Sequence, residues 1–296
     1  MSLPFRCSQA SEQRSELLAG TASTVRAFLL VEAPGPWGVD AVGDSRLPDR
    51  VKRQLTVEAK RHRVRPLMIR RHGRSGPDQL TVFAAYADPR NSWVESTCVA
   101  DPVDLLDLDL ARLGSGLSPG LTEHRSPLFL VCTHGKHDAC CAERGRPVAA
   151  ALSRRFPQDT WEVSHIGGDR FAGNMLVLPE GLYYGRLTPE TVAQVAERHR
   201  AGHLDLEHLR GRCGYPFAVQ AAETFLRREL ACTETDALTL SSSNRTGDET
   251  DVVFAACERL WQVRVRSTGS PSEQLTCRAV RHNQGTVHTL VEIHAK

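Results

Sequence analysis

The sequence predicts an α/β (α+β) protein in two parts, a larger C-terminal thioredoxin-like part and a smaller N-terminal α/β part. Strand-like and helix-like segments alternate along all 296 residues. From 127 to 231 their order is β-α-β-β-α, the order of a thioredoxin-like domain. A Gly/Ser/Pro stretch at 114–119 separates the parts. We therefore expect an N-terminal domain over 1–120 and a thioredoxin-like domain with a C-terminal strand extension over 121–296.

The order of strand and helix patterns in the N-terminal part is similar to that in the C-terminal part. An apolar strand pattern at 23–32 ends at the Pro/Gly turn APGPWG. A helix pattern, three strand patterns and a second helix pattern follow at 47–63, 65–71, 79–87, 92–100 and 102–113. A degenerate second copy of the thioredoxin-like unit is therefore a hypothesis that the sequence raises.

The C-terminal part begins with the apolar strand PLFLV, which runs into a polar loop at 132. Helix spacing over 141–156 and three strand patterns come next, the last two forming a hairpin at 174–187. Two helix patterns at 188–201 and 216–231 precede a remainder of short strands and turns.

Bulk composition gives no sign of nucleic-acid or membrane binding. The formal net charge is only +2, and no apolar run approaches the roughly 20 residues that span a bilayer. The first twenty residues lack the apolar segment of a secretory signal, so we expect a cytoplasmic protein. In that reducing compartment disulfides are rare, and clustered cysteines indicate a metal or redox site.

One loop concentrates residues that bind metals. It reads CTHGKHDACC and contains Cys132, His134, His137, Cys140 and Cys141. The first cysteine ends a predicted strand, and the last two begin a predicted helix, where unpaired backbone N–H groups and the helix dipole stabilise a thiolate. Three cysteines and two histidines so close together favour a metal or redox centre over the packing of buried cysteines.

A second segment, HIGGDRFAGN, follows a later strand. His165 ends that strand, and Gly167 and Gly168 allow the backbone to turn tightly or to approach a bulky group. A single histidine at the end of a strand is usually a satisfied polar residue. The Gly-Gly-Asp sequence after it and the cysteine loop before it favour a ligand here.

Together these segments resemble the sucrase/ferredoxin-like family, which belongs with the thioredoxin-like ferredoxins. The motifs that carry the resemblance, in order along most of the chain, are AGTA (19–22), LLVEAPGPWG (29–38), CTHGKHDACC (132–141), HIGGDRFAGN (165–174), LPEGLYYGRL (178–187) and PFAVQAAE (216–223). The resemblance implies a C-terminal thioredoxin-like ferredoxin domain with a [2Fe–2S] cluster. In fungal members two cysteines of a C-x8-C loop and two histidines of an H-x-G-G-H motif hold the cluster.

Carried over residue by residue, the resemblance implies Cys132, Cys141 and His165 as cluster ligands. The second histidine position is Asp169, and a carboxylate is a harder and less usual ligand of such clusters. We expect Asp169 to be the fourth ligand. Replacement by Cys213 or Cys140, and a chain that assembles no cluster, remain open.

The ligand set also predicts a property of the cluster. Replacing thiolates with neutral imidazole raises the reduction potential, as in Rieske centres. With Asp169 in place of the second histidine, we expect a potential between the plant-type and Rieske extremes.

The resemblance implies a one-electron carrier with a redox partner protein, a reductase or an acceptor, more than an enzyme. Two other functions remain open. One is a thiol-redox enzyme that cycles Cys132 with Cys140 or Cys141, although the loop lacks C-x-x-C. The other is a zinc protein that uses the same four ligands. We expect no sucrase activity, because a glycosidase needs two carboxylates across a sugar site and no such pair stands out.

Overall fold

The computed structural model describes residues 4–73 and 79–296 and has two β-sheets in these ranges. The first part of the chain contains α1 (Cys7–Gln13), β1 (Ala27–Glu32), α2 (Asp49–Arg61), β2 (Val64–Arg70), β3 (Leu80–Tyr86), β4 (Trp93–Val99), a 3-10 helix (Pro102–Asp107), α3 (Leu110–Gly114) and β5 (Thr122–Glu123). The second part contains β6 (Leu128–Cys132), α4 (Ala139–Arg155), β7 (Thr160–Val163), a 3-10 helix (Asp169–Phe171), β8 (Met175–Leu178), β9 (Leu182–Tyr184), α5 (Val192–Arg200), β10 (Leu209–Arg212) and α6 (Phe217–Glu229). The last strands are β11 (Thr239–Thr246), β12 (Glu249–Ala256), β13 (Arg259–Gly269) and β14 (Thr286–Ala295).

Ten strands form one continuous sheet in the order β10-β9-β8-β6-β7-β2-β1-β3-β4-β5. In its second part β6 and β7 are parallel, β8 is antiparallel to β6, and β9 is antiparallel to β8. Helix α4 connects the two parallel strands, as parallel pairing requires. This is a thioredoxin-like arrangement, and the predicted mixed α/β fold class is confirmed.

The first part of the sheet has the same strand order. Strands β1 and β2 are parallel and joined by α2, β3 is antiparallel to β1, and β4 is antiparallel to β3. The topology therefore agrees with the hypothesis of a second thioredoxin-like unit. We call β1–β4 with α2 the first unit and β6–β9 with α4 the second unit.

The two units meet along a short seam, where β2 pairs antiparallel with β7. Ile69 is opposite Val163, and Arg70 is opposite Glu162. The buried Glu162 carboxylate accepts hydrogen bonds from Arg70 at 2.6 Å and from the Thr133 hydroxyl at 2.8 Å. The sheet is continuous across the seam, and the division of the chain after residue 120 stays a prediction.

The last four strands form a separate antiparallel sheet in the order β11-β12-β13-β14. Its buried face packs on α6, with Val219 and Leu226 of the helix in one apolar cluster with Val252 and Phe254 of β12. The connection between β13 and β14 returns to the second unit, where the backbone N–H of Cys277 reaches the start of α4.

The sequence patterns do not predict helix α1 or strand β10. Helix α1 has only seven residues, too few for a clear apolar period. Strand β10 reads LRGR and is nevertheless buried throughout, because its arginines find partners inside the protein. Arg210, for example, donates to Asn174 Oδ1 at 2.8 Å and to Thr21 Oγ1 at 3.1 Å. Polar residues with satisfied hydrogen bonds can fill a buried strand, and an apolar pattern does not reveal them.

Helix α4 is the longest helix in the described residues, with 17 residues. Its buried side includes Val148, Ala149 and Leu152, as the spacing over 141–156 predicts. Among residues 4–73 and 79–296, we find no helix with the length and apolar character that a bilayer-spanning segment needs.

Candidate metal centre

Cys132 ends strand β6 and Cys141 lies in the first turn of α4, and both are buried. The helix approaches the strand closely because Gly145 has no side chain, since a Cβ at that position would overlap the carbonyl oxygen of Cys132. Asp138 caps the helix, and its carboxylate accepts from the backbone N–H of Cys140 at 2.9 Å. The two cysteines of the C-x8-C spacing therefore lie at the same end of the sheet.

The adjacent residues Cys140 and Cys141 face different surroundings, because successive side chains of a helix point about 100° apart. Cys141 belongs to the same buried cluster as Cys132. Cys140 belongs to a separate cluster with Cys7, and its Sγ is 3.4 Å from the Sγ of Cys277. The structure brings Cys141 together with Cys132 and directs Cys140 away.

The turn after β7 brings His165 to the same place. Gly167 and Gly168 have φ angles of 98° and 78°, a left-handed conformation that glycine adopts at little cost. The buried Arg210 guanidinium donates to the carbonyl of Gly167 at 2.9 Å, and the Asn174 amide donates to the carbonyl of Gly168 at 2.8 Å. These two hydrogen bonds hold the turn that contains His165 in place.

The four predicted ligands lie together. Donor atoms of Cys132, Cys141 and His165 are within 4.8 Å of one another. Oδ1 of the buried Asp169 is 2.9 Å from His165 Nδ1 and 3.1 Å from Cys141 Sγ. His165 Nδ1 is buried but makes no well-aligned hydrogen bond to any residue that the structure describes. Two thiols, a carboxylate and an imidazole form a donor set that suits a metal centre.

Two more histidines of the cysteine loop border this site. The ring of His137 stacks on that of His165 with centroids 3.7 Å apart, and its Nε2 is 3.8 Å from Asp169 Oδ2. His134 accepts from the backbone N–H of His165 at 3.2 Å and has its Nε2 2.6 Å from the carbonyl oxygen of Gly38. His137 is therefore a further candidate ligand, and its place between the two cysteines of the loop is the sequence signal that points to it.

A loop of the first unit covers His134 at the border of the site. It connects β1 with α2, and the ring of Trp37 meets that of His134 edge-on with centroids 5.8 Å apart. The Trp37 indole donates to the carbonyl of Ala33 at 3.0 Å, and the Arg70 guanidinium lies 4.2 Å from the ring centroid. The first unit thus shields His134 and one side of the cysteine loop from solvent.

The charges of the site depend on one another. Contact with the Cys141 side chain, and then with His165, lowers the pKa of Cys132 despite burial. The contact with Cys132, and then burial, raise the pKa of Cys141. Burial opposes the charge of His165, but Asp169 and Cys132 outweigh it and raise the pKa of His165 to about 9. A metal that binds His165 therefore displaces a proton from its ring.

Residues 18–211 match the family described as Sucrase/ferredoxin-like, and this match covers most of the chain and the whole site. The chain belongs to the Sucrase/ferredoxin-like family. The resemblance seen in the sequence motifs is thereby confirmed.

Curated relatives of this member of the Sucrase/ferredoxin-like family include proteins named Altered inheritance of mitochondria protein 32. The protein of that name from Meyerozyma guilliermondii is 30% identical over 80 residues, which are 24% of this chain and 28% of the relative. The one from Saccharomyces cerevisiae is 32% identical over 96 residues, which are 28% of this chain and 31% of the relative. The match spans less than a third of the length of either relative.

Solved structures similar to this family member include a thioredoxin-like [2Fe-2S] ferredoxin from Aquifex aeolicus. It has 19% sequence identity and a TM-score of 0.27, and the match covers 31% of this chain and 97% of the ferredoxin. A cysteine-to-serine variant of that ferredoxin has 20% identity and a TM-score of 0.26 over 28% of this chain and 97% of the other.

The expectation of a cytoplasmic protein is contradicted by the curated relatives, whose name refers to mitochondria. The expectation rested on the lack of an apolar secretory segment. That observation does not bear on import into an organelle, because mitochondrial transit peptides are amphipathic and not continuously apolar.

The structure distinguishes between the candidates for the fourth ligand, the position where the Sucrase/ferredoxin-like motif has its second histidine. Cys213 follows β10. Strands β6, β8, β9 and β10 are neighbours, and each is antiparallel to the next, so β10 runs opposite to β6. The Cys213 thiol therefore lies at the other end of the sheet from Cys132. Cys140 points into another cluster. Among the residues that the structure describes, Asp169 and His137 have donor atoms that group with His165 and can complete the set.

Proposed function

We propose that this protein is a one-electron carrier with a [2Fe–2S] cluster bound by Cys132, Cys141, His165 and Asp169. The observation that carries the proposal is the convergence of two buried thiols, an imidazole and a carboxylate at the end of β6. Membership of the Sucrase/ferredoxin-like family supports it. Cys and His are the usual ligands of such clusters, so three of the four fit without further assumption.

Asp169 is the fourth ligand in this proposal because its carboxylate contacts both neighbouring ligands. Oδ1 lies 3.1 Å from Cys141 Sγ and 2.9 Å from His165 Nδ1, in a buried position. His137 lies on the outer side, stacked on His165, with 36% of its side chain exposed. In this arrangement His137 lies between the cluster and solvent. The Asp169 carboxylate adds a negative charge, which a neutral second histidine does not have.

A bound cluster would supply the one-electron chemistry, and the protein sets its environment. Cys132 and Cys141 hold it from the buried side, where solvent is excluded. His165 and His137 lie on the side where 23% and 36% of their side chains are exposed. We therefore propose that a redox partner protein, a reductase or an acceptor, docks over these two imidazoles.

The test is spectroscopy of the full chain purified under anaerobic conditions. Wild type should be red-brown, lose visible absorption on dithionite reduction, and then show an EPR signal of a reduced [2Fe–2S] cluster. Asp169→Ala should change the EPR spectrum, Asp169→His should raise the reduction potential, and His137→Ala should change the spectrum less. Cys98→Ser, an exposed cysteine, is the matched control and should behave as wild type.

Two results would contradict the proposal in different ways. An unchanged spectrum in Asp169→Ala together with a changed one in His137→Ala would move the fourth ligand to His137. A colourless wild-type protein without iron, even after reconstitution with iron and sulfide, would reject the cluster altogether.

A second candidate function is zinc binding by the same residues. The donor atoms of Cys132, Cys141 and His165 lie within 4.8 Å of one another, which is the compact spacing of a site for a single ion. Metal analysis separates the two functions. A colourless protein whose zinc is lost in Cys132→Ser supports zinc, and iron with acid-labile sulfide supports the cluster.

A further inference from the structure

A second group of thiols lies on the other side of the start of α4. Cys7 of α1, Cys140 of α4 and Cys277 of the β13–β14 connection meet there with Asp138, and their donor atoms are within 4.8 Å of one another. Cys7, Cys140 and Asp138 are buried, and Cys277 is partly buried. Three segments that are far apart in the sequence thus contribute one thiol each to a single small volume.

The sulfur atoms have nearly the spacing of ligands that share one metal ion. Cys277 Sγ is 3.4 Å from Cys140 Sγ and 3.6 Å from Cys7 Sγ. Two sulfurs on a tetrahedral zinc ion are about 3.8 Å apart when the Zn–S bonds are about 2.3 Å. A disulfide would need an S–S distance of about 2.0 Å and would leave one of the three thiols unpaired.

The Asp138 carboxylate is held in place as a fourth donor. Its Oδ2 accepts from the backbone N–H of Cys277 at 2.6 Å, and its Oδ1 accepts from the backbone N–H of Cys140 at 2.9 Å. Oδ1 also lies 3.6 Å from Cys7 Sγ. Each carboxylate oxygen keeps a second lone pair for a metal, and such backbone contacts are typical of the groups that orient metal ligands.

Further donors point at the sulfurs themselves. The Ser8 hydroxyl donates to Cys140 Sγ at 3.2 Å, and the backbone N–H of Cys7 donates to Cys277 Sγ at 3.5 Å. Hydrogen bonds of this kind stabilise thiolates, the form in which cysteine binds a metal. The surroundings are therefore arranged for ligands as well as for packing.

We propose that Cys7, Cys140, Cys277 and Asp138 bind a structural zinc ion. Four protein ligands complete a tetrahedral site, which is the pattern of structural and not of catalytic zinc. The three thiols release their protons to solvent when the ion binds, and no oxidant is involved. The ion ties α1 and the C-terminal sheet to the start of α4, one residue before Cys141.

The test measures metal in the full chain, purified anaerobically with reductant and without chelators. Wild type should contain zinc that Cys277→Ser and Cys7→Ser lack, a difference of about one equivalent per chain. Cys98→Ser, with its exposed cysteine, should keep the wild-type content. Cobalt added to zinc-free protein should give thiolate-to-cobalt charge-transfer absorption in wild type and a clearly weaker band in Cys277→Ser.

Cys277→Ser is the decisive variant because this residue is partly exposed on a connection between strands, where serine can be accommodated. A chelator should lower the melting temperature of wild type, and this effect should be much smaller in folded Cys277→Ser. Zinc content unchanged in Cys277→Ser would overturn the proposal. A Cys140–Cys277 disulfide, found by mass spectrometry in the anaerobically purified protein, would overturn it as well.

The proposal is independent of the function of the first site, and the variants separate the two. Cys132→Ser should remove the metal of the first site and leave the zinc that depends on Cys277. Cys277→Ser should remove that zinc and leave the metal that depends on Cys132. Zinc lost in Cys132→Ser but kept in Cys277→Ser would reject the second site alone.

Discussion

The first and second units share a strand order but differ in the loop that follows their first strand. In the second unit, β6 leads into the loop with Cys132 and Cys141. In the first unit, β1 leads into residues 33–48, which include Trp37 but neither cysteine nor histidine. Glu32 ends β1 as Cys132 ends β6, and its carboxylate accepts from the backbone N–H of Thr81 at 3.1 Å.

Both units have a loop after their first strand, but only loop residues with suitable donor atoms can form a metal site there. The second unit carries the donor atoms. The first unit contributes a cover, because Gly38 lies 2.6 Å from His134 Nε2 and Trp37 packs against that ring. Each unit therefore has a separate role, and each role can be tested.

The largest expected difference between the units is in bound iron, when the residue that ends the first strand of each unit, Cys132 or Glu32, is substituted. Cys132→Ser removes a ligand and should lower bound iron at least about tenfold, because even groups that only orient metal ligands affect metal affinity by about tenfold or more. Glu32→Gln, the matched change in the first unit, keeps a hydrogen-bond acceptor for Thr81 and should leave iron content unchanged. Iron analysis of both variants checks this, and equal loss in both would remove the distinction between the units.

The next effect concerns the contact between α4 and β6. Gly145→Ala places a methyl group against the carbonyl of Cys132, so the helix must shift. We expect a loss of about 1–3 kcal/mol in the free energy of unfolding, the usual cost of overpacking. Urea unfolding measures it, with Arg154→Ala on the exposed side of α4 as control. A stability equal to that of the control would show that the close approach is not required.

A pH-dependent effect of comparable size is expected at the seam. Burial raises the pKa of Glu162, but His72, Arg70 and Thr133 outweigh it and hold the pKa below the ordinary value of 4.5. The charged carboxylate therefore stabilises the fold above pH 4.5, and this stabilisation is lost as the pH falls through the lowered pKa. Glu162→Gln should cost about 1.5–3 kcal/mol at neutral pH.

Urea unfolding of wild type and Glu162→Gln at a series of pH values checks this expectation. The difference between them should shrink as the solution is acidified. Glu197→Gln, which affects an exposed ion pair with Arg155, is the control and should show a small difference throughout. A difference for Glu162→Gln that stays constant with pH would contradict the expectation.

The smallest effect on stability is expected at Trp37, in the loop of the first unit that packs against His134. Trp37→Phe keeps an aromatic ring against His134 but loses the indole hydrogen bond to Ala33, at a cost of about 1 kcal/mol. Trp93→Phe loses a similar hydrogen bond to Gly116 away from the site and is the control. Stability should fall equally in both, with an unchanged EPR spectrum. A spectral change in Trp37→Phe alone would show that the first unit influences the proposed cluster directly.

Much of the fold could be predicted from the sequence because its strands are apolar runs between clear turns. The strands and helices that form the second unit follow from such patterns, and the fold class with them. Strand β10 could not be found in this way, since Arg210 and Arg212 interrupt its apolar character. Their partners come from segments distant in the sequence, and a local pattern contains no information about them.

The site was predictable to the extent that spacing and motif reveal it. The side chains of Cys132, Cys141, His165 and Asp169 lie close together, and their role as ligands stays a prediction. The role of His137 depends on a ring stacking across two loops, which a single sequence does not show. The group around Cys140 was missed because two of its cysteines, Cys7 and Cys277, lie outside any motif and meet it only through the tertiary fold.

The antiparallel pairing of β2 with β7 has a consequence for symmetry. Each is the second strand of its unit, so the seam joins equivalent edges in the way that a two-fold dimer of identical units would. In such a dimer both copies must keep the same loop, because every residue occurs twice. Linking the two copies in one polypeptide removes this constraint. One copy can then keep the donor atoms while the other covers the neighbouring His134, a difference that identical subunits cannot have.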